Sequence, residues 1–492
     1  MKFCFENKEF IDLDIHPSQL AVIGSDMSLT WHEFKAEVDH LVDYLSTQNL
    51  NNLIDPVVLY GHKSARMIIS AYALMQLKIP YIPVDEIYPL ERVQKIISAS
   101  GSQLLINTSE SDIDFDNISS LFNAQGSYHL KSLETSYRTD IKRKTNHLVY
   151  IIFTSGSTGE PKGVQISTEA VQSFTKWMTG DDFKFSSNSV LINTAPLSFD
   201  LSVFELMTFG ALGATLLLNT KAQTSDPTLL LDRIQKYNGS VWVSTPSFAL
   251  IYSRIDNNTV FNQIEAFLFC GEILPHPLAK TLVKKFPKSR VINTYGPTEA
   301  TVATTIVTIT NEVLEQHNPL PVGISKVESK LEIIDDEIVI IGPNVASGYV
   351  NRPDLNASKF TKINGERAFR TGDKGYLENG LLFFHGRNDD MVKLHGYRIE
   401  LNEITSVLDD FTYILQSATI PLKRNDTVKK IVSLVQLQPN VNVELDTIKN
   451  DLEKTLPKYM VPADIKIVNE IPLNQNGKAD KNALLALYLK KK

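Results

Sequence analysis

Cysteine is nearly missing from this chain: of 492 residues, only Cys4 and Cys270 carry a thiol. Two cysteines can build neither a disulfide framework nor a four-cysteine metal site, and such scarcity fits a reducing compartment, so a cytoplasmic location is expected. Long apolar runs are lacking as well. No stretch approaches the roughly 20 apolar residues that span a bilayer, and the opening Met1-Lys2-Phe3-Cys4-Phe5-Glu6 has no uninterrupted hydrophobic region of the secretory kind. Neither secretion nor a membrane span is expected. Charge of one sign is equally scarce, since 49 basic and 56 acidic side chains leave a formal net charge of −7. Without a long basic run, nucleic acid is not the expected partner, and an anionic ligand must be held by local groups. Repeats and low-complexity tracts do not occur, and the acidic, polar stretch 108–117 reads as a surface loop.

The chain does have apolar content, 43% of its residues, enough for the cores of more than one domain. Short apolar runs bounded by turn residues recur at 56–60, 148–153, 190–195, 241–244, 266–269 and 291–293, with helix-compatible segments such as 64–77 and 278–286 between them. This alternation predicts an α/β fold with largely parallel sheets covered on both faces, in which ligands sit beyond the carboxyl ends of strands. From about Leu331 the pattern changes to short strands with glycine-rich turns, at 338–342 and 381–386, predicting a β subdomain. After Asp389 the rhythm is α+β, with helices at 401–409 and 445–456 and strands at 431–438 and 465–468. The expected division is a large domain of residues 1–388 and a small, mobile domain of residues 389–492.

Directly after the apolar run 148–153 comes Thr154-Ser155-Gly156-Ser157-Thr158-Gly159-Glu160-Pro161-Lys162-Gly163. Hydroxyl donors, a cation, and backbone N–H groups exposed where side chains are absent suit a triphosphate. The spacing is not that of a Walker loop, because Pro161 stands where the second glycine belongs and Gly163 follows the lysine. Alone, the segment could equally be a Ser/Gly turn between strand and helix. Further motifs follow in order: Asn293-Thr294-Tyr295-Gly296-Pro297-Thr298-Glu299, Phe369-Arg370-Thr371-Gly372-Asp373, Gly386-Arg387-Asn388-Asp389, Gly396-Tyr397-Arg398-Ile399-Glu400-Leu401 and Asn476-Gly477-Lys478-Ala479-Asp480. With these, nearly the whole chain resembles the adenylate-forming superfamily of acyl-CoA synthetases, luciferases and nonribosomal adenylation domains.

The resemblance implies a reaction in two steps, in which a carboxylate attacks the α-phosphate of ATP and the resulting acyl-adenylate passes its acyl group to a thiol. Such chemistry asks the protein to align two anions and offset their repulsion. It implies that Thr154, Ser155, Gly156, Ser157, Thr158 and Gly159 hold phosphates together with Lys162, and that Thr298 donates to the α-phosphate. Glu299 would coordinate Mg²⁺, a hard cation that favours carboxylate oxygen. Tyr295 would stack on adenine, with Asn293, Thr294 and Gly296 in the same wall and Gly271 and Glu272 close by. Asp373 would accept from both ribose hydroxyls, assisted by Arg387, and Lys478 would bridge the substrate carboxylate and ATP. Asp389 matches the hinge about which the small domain rotates between the steps, turning 393–400 toward the site in the second. Met391 departs from the amino-acid-activating pattern, which has Gln at that position. Each role has an ordinary alternative: a solvated glutamate, a structural tyrosine, a Gly-Asp turn, a surface lysine.

Asp200, in Ser198-Phe199-Asp200-Leu201-Ser202, matches the aspartate with which amino-acid-activating members pair the substrate ammonium, though it is also placed to cap a helix. Carrying the family's pocket across puts Leu201, Phe204, Ser247, Leu268, Cys270, Thr294, Val302 and Ala303 around the substrate side chain, with no second charge, which implies a small uncharged amino acid. The segments 241–249 and 269–275 look like the branch of the superfamily that ligates D-alanine to a carrier protein for teichoic acid, where a cysteine at Cys270 favours the D enantiomer. Strand-end packing is the other account of Cys270. Phe204-Glu205-Leu206 lacks the proline expected of that branch. A stand-alone L-amino-acid adenylation enzyme and a catalytically silent nucleotide-binding partner remain alternatives, whereas an acyl-CoA synthetase would leave Asp200 without a role. No Asp-Ser phosphopantetheine attachment motif is apparent, so the acceptor thiol is expected on a separate carrier protein and the enzyme is expected to be a monomer.

Overall fold

The computed structural model describes residues 17–50, 55–111, 113–124, 127–131, 148–156, 160–253, 255, 258–387, 391–424, 427–472 and 479–490. They form two compact units. One is Met1–Glu86, Ile97–Phe153 and Gly163–Asn388; the other is Ile87–Ile96, Thr154–Lys162 and Asp389–Lys492. Neither is a single stretch of sequence.

The architecture is α/β, as the alternation predicts. In the first unit a nine-stranded sheet runs in the order Ile324–Ser325, Thr305–Thr308, Arg290–Tyr295, Ala266–Phe269, Val241–Ser244, Val190–Asn193, Thr215–Leu218, Leu20–Ile23, Ser28–Thr30. Its centre is parallel and its strands there are buried, which their unbroken apolar composition requires. An eight-stranded sheet is built around Leu148–Thr154, Tyr81–Asp85, Val57–Gly61 and Leu104–Asn107, again parallel at its centre. Its outer strands Ser119–Ala124 and Ser127–Lys131 form a hairpin that the sequence reading does not anticipate, because both strands are rich in polar residues and only the second alternates.

Helices between the strands are started by side chains. Thr30 and Glu33 form a capping box on Trp31–Thr47, and the Ser64 side chain accepts from the Met67 N–H at the head of Ala65–Leu77. Helix Ser202–Leu212 is buried along most of its length. Tyr72 crosses it closely, donating to the Leu206 carbonyl at 2.7 Å. A Cβ at Gly210 would lie 2.2 Å from that hydroxyl, so only glycine lets the two elements meet.

The β subdomain from Leu331 onward is a five-stranded antiparallel sheet of Lys330–Ile334, Glu337–Ile341, Glu366–Glu378, Phe360–Ile363 and Leu381–Arg387. In the second unit, Met391–Leu394 pairs with Tyr397–Glu400, and Ile414–Arg424, Thr427–Leu437 and Asp464–Ile467 make a three-stranded sheet. Helices Leu401–Asp409 and Leu445–Thr455 bury Ile404, Leu408, Ile448 and Leu452 in the core that this sheet shares. The long strand Ile414–Arg424 lies between two predicted elements and goes unread in the sequence, its apolar residues being interrupted by Gln416, Ser417 and Pro421.

Candidate functional site

Register decides which loops become neighbours in the first unit. Ser244 pairs with Phe269 and Phe269 with Asn293, so the segments leaving three parallel strands emerge side by side at their carboxyl ends. The Thr294 hydroxyl donates to the Phe269 carbonyl at 2.8 Å and pins two of these strand ends together. Asn293 Nδ2 donates to the Pro321 carbonyl at 2.9 Å, while its Oδ1 is a buried atom without a partner. Leu201, Phe204, Leu268, Cys270, Val302 and Ala303 are all buried within one apolar cluster. Beside them the Ser247 N–H donates to the Glu272 carboxylate at 3.0 Å.

Asp200 lies just before helix Ser202–Leu212. The N-cap position falls on Leu201, whose side chain makes no cap bond. The helix start is closed through backbone bonds, Val203 N–H to the Asp200 carbonyl at 2.9 Å among them. The Asp200 carboxylate accepts from the Thr298 hydroxyl at 2.6 Å.

Thr298 and Glu299 sit on a single 3₁₀ turn, Thr298–Ala300, inside the loop between antiparallel strands Arg290–Tyr295 and Thr305–Thr308. The loop is tight. A Cβ on Gly296 would lie 2.6 Å from Ala303 Cα, and Thr301 and Val302 adopt left-handed φ of +53° and +69°. Cys270 Sγ reaches the Val302 carbonyl at 3.7 Å. Glu299 is fully buried, accepts from the Tyr349 hydroxyl at 2.6 Å, and its carbonyl accepts from the Ala346 N–H at 2.8 Å.

Asp373 and Arg387 are register partners across the antiparallel pair of Glu366–Glu378 and Leu381–Arg387, which explains their ion pair. The other Asp373 oxygen accepts from the Tyr295 hydroxyl at 2.6 Å. Burial first, and then the Asp373 charge, push the Tyr295 phenol well above its ordinary range, so it stays a proton donor. Its ring also packs against Phe384, 6.2 Å between centroids.

In the second unit the loop after Thr154 is held by acidic residues. Ser155 Oγ donates to the Arg398 carbonyl at 2.8 Å and accepts from the Glu400 N–H at 3.2 Å. The Gly156 N–H donates to Glu403 Oε2 at 2.8 Å, and Lys162 Nζ pairs with Glu400 at 3.0 Å. Gly156 tolerates no side chain, because a Cβ there would fall 1.9 Å from the Glu160 carbonyl. Thr154 Oγ1 is 3.4 Å from the Lys162 carbonyl. Arg92 completes the cluster at 2.7 Å from the other Glu403 oxygen. Met391 is the register partner of Glu400 and is buried. Ser157, Thr158, Gly159, Asp389 and Lys478 lie outside the described residues.

Four buried residues near these groups escape the sequence reading: Asn344, Tyr349, Lys63 and Glu205. Glu205 carries a readable signal, a lone acid in the apolar run 201–212. Its carboxyl is pushed up to about 8 by burial, and one oxygen accepts from Asn193 Nδ2 at 3.2 Å. Lys63 donates to the Thr194 carbonyl at 2.8 Å and is pulled down to about 7, also by burial. Asn344 and Tyr349 act on residues more than forty positions away, which no local pattern encodes.

Among the described residues, no helix is long and apolar enough to cross a membrane, and no group of three or more His, Cys, Asp or Glu side chains could hold a metal ion. The profile of the AMP-binding enzyme family matches residues 12–350. Proteins of Bacillus mycoides (strain KBAB4) and Bacillus cereus (strain Q1), both named D-alanine--D-alanyl carrier protein ligase, are each 37% identical over 496 residues, covering 96% of this chain and 96% of the relative. Among solved structures, the Vibrio cholerae adenylation domain AlmE in complex with glycyl-adenosine-5'-phosphate superposes with a TM-score of 0.79 at 21% identity, covering 96% and 95% of the two chains. Holo-PA1221, an NRPS protein containing adenylation and PCP domains, gives a TM-score of 0.81 at 24% identity over 96% of this chain and 82% of that one.

Proposed function

The chain is a member of the AMP-binding enzyme family, and from that premise we propose that it is an ATP-dependent, AMP-forming ligase that activates D-alanine and transfers it to the phosphopantetheine thiol of a separate carrier protein. The observation that carries this reading is Asp200, whose carboxylate accepts from the Thr298 hydroxyl, with Leu201, Phe204, Leu268 and Cys270 buried together in one apolar cluster. A half-buried carboxylate favours a cationic partner, which an amino acid's ammonium supplies. None of these four side chains carries a charge, which suits a small uncharged substrate side chain. The name shared by full-length relatives at 37% identity supports the same substrate and partner.

In the first step a carboxylate oxygen of the amino acid attacks the α-phosphorus of ATP, the bond to the β-phosphate oxygen breaks, and pyrophosphate leaves. In the second a thiolate attacks the carbonyl carbon of the aminoacyl-AMP, and the bond to AMP breaks. When ATP binds, Thr298 turns its single hydroxyl proton from Asp200 to the α-phosphate, and Tyr295 with Arg387 fixes Asp373 to receive the ribose hydroxyls. Gly156 and Lys162 supply the anion-binding groups of the phosphate loop, a character supported by the carboxylate oxygens each of them holds. Lys478 aligns the substrate carboxylate with ATP, and Asp389 is the hinge. Glu299 fits a Mg²⁺ site in its chemistry, a buried carboxylate oriented by the Tyr349 phenol, and the ion would offset phosphate charge when bound.

Amino-acid-dependent ATP–pyrophosphate exchange tests the proposal. D-alanine is expected to give the highest kcat/KM, with L-alanine, glycine and L-serine reduced about tenfold or more, as a one-group difference in a pocket allows. Preference for an L or bulky substrate would overturn the D-alanine reading, and absence of exchange with any amino acid would leave a nucleotide-binding partner protein.

A further inference from the structure

Two consecutive left-handed residues, neither of them glycine, stand in the turn that follows Glu299. Thr301 and Val302 are both β-branched and both buried, and a β-branched residue at positive φ is a genuine outlier that persists only where its surroundings over-determine it. Those surroundings converge on one side chain. Asn344 is fully buried; its Nδ2 donates to the Ala300 carbonyl and to Thr304 Oγ1, each at 2.9 Å, and its Oδ1 accepts from Ser329 Oγ at 2.6 Å. Its own carbonyl accepts from Thr301 Oγ1 at 2.7 Å. The amide thus grips both ends of the left-handed pair, and its backbone grips the middle.

We propose that Asn344 is a positioning residue of the amino-acid pocket: it holds the turn 300–304 in its left-handed form, keeps the Val302 carbonyl at Cys270, and so sets the depth of the wall that admits a small substrate. The inference rests on the reading of Cys270, Val302 and Ala303 as that wall. Without the amide, Thr301 and Val302 relax toward ordinary φ, the carbonyl leaves the thiol, and the wall recedes.

Cys270 provides a readout that needs no catalysis, because Cys4 is the chain's only other thiol. In a Cys4→Ser background, alkylation of Cys270 by iodoacetamide is expected to quicken about tenfold in Asn344→Ala, as a buried thiol becomes reachable. Glycine carries no Cβ penalty in the left-handed region, so in a Thr301→Gly background the same substitution should change the rate by less than about threefold. In pyrophosphate exchange, Asn344→Ala should raise the amino-acid KM about tenfold and narrow the D-alanine to L-alanine preference, with the ATP KM little changed. A purely structural role would lower the active fraction and leave both the amino-acid KM and the preference alone. Thr304→Val, which keeps the shape and removes one acceptor, should move alkylation in the same direction and covers the case in which Asn344→Ala does not fold. Unchanged alkylation in folded variants, or equal effects of Asn344→Ala with and without Thr301→Gly, would overturn the proposal. If the unmodified enzyme shows no amino-acid-dependent exchange, the substrate reading fails while alkylation still decides the clamp.

Discussion

Glu205 lies buried five residues beyond Asp200, with Asn193 serving one carboxylate oxygen and the other without a partner. Desolvation is what holds its proton. The folded protein keeps that proton up to about pH 8, whereas the unfolded chain releases it near the ordinary value of 4.5, so its contribution to stability declines as pH rises through that window. Lys63 has the opposite sign. Its folded value near 7 against 10.5 means that the unfolded chain binds the extra proton, and stability gains between those values. Glu205→Gln is therefore expected to gain on the unmodified protein as pH goes from 5 to 8 in urea denaturation; a difference that does not vary with pH would show that no buried acid titrates there. The sequence exposes this acid in an apolar helix but hides its companion, since Lys63 approaches only through the fold, by way of the Thr194 carbonyl. Asp200 was legible for a better reason: it belongs to a run of contiguous residues, and its partner Thr298 belongs to another.

Among the elements, the loop joining Arg290–Tyr295 to Thr305–Thr308 gathers the most proposed site residues into the fewest positions. Its motif is contiguous and so readable, but its shape is not, because Asn344 binds Ala300 from 44 positions away. A methyl group on Gly296 would press on Ala303 Cα at 2.6 Å and the Val302 carbonyl at 2.9 Å, backbone atoms that cannot rotate aside. On Gly271 the same methyl would meet only a Thr245 methyl at 3.6 Å, leaving the φ of +87° as the main cost. Gly296→Ala is accordingly expected to lower kcat/KM for exchange about 100-fold through misplacement of Thr298, and Gly271→Ala by roughly fivefold, in line with about 1 kcal/mol of backbone cost. Equal losses in the two variants would show that close approach is not what the first glycine provides. The parallel strands were legible at the same scale because burial on both faces forces unbroken apolar runs. The hairpin of Ser119–Ala124 and Ser127–Lys131 was not, since its first strand buries two serines and its second alternates between exposed and half-buried positions.

For the molecule as a whole, the division into two units follows distant pairings rather than one cut in the sequence. Arg92 and Glu403, 311 positions apart, form a buried pair within the second unit. Removing one member of such a pair costs about 3–5 kcal/mol because the other charge stays buried. All three tryptophans, Trp31, Trp177 and Trp242, fall in the first unit, so their fluorescence follows that unit alone. Arg92→Ala should therefore lower hydrogen-exchange protection in helix Leu401–Asp409 without moving the tryptophan unfolding transition, and a shift of both together would show that the units unfold as one. Composition and alternation made the fold class legible; this pairing was not, because nothing near Arg92 in sequence indicates its partner. The pairing also has a consequence for biosynthesis. At roughly 5–20 residues per second, Arg92 leaves the ribosome tens of seconds before Glu403 is made. Segment 87–96, among the earlier parts of the chain to be synthesised, is thus among the last to be buried, and a nascent chain stalled before residue 403 would hold that arginine in water.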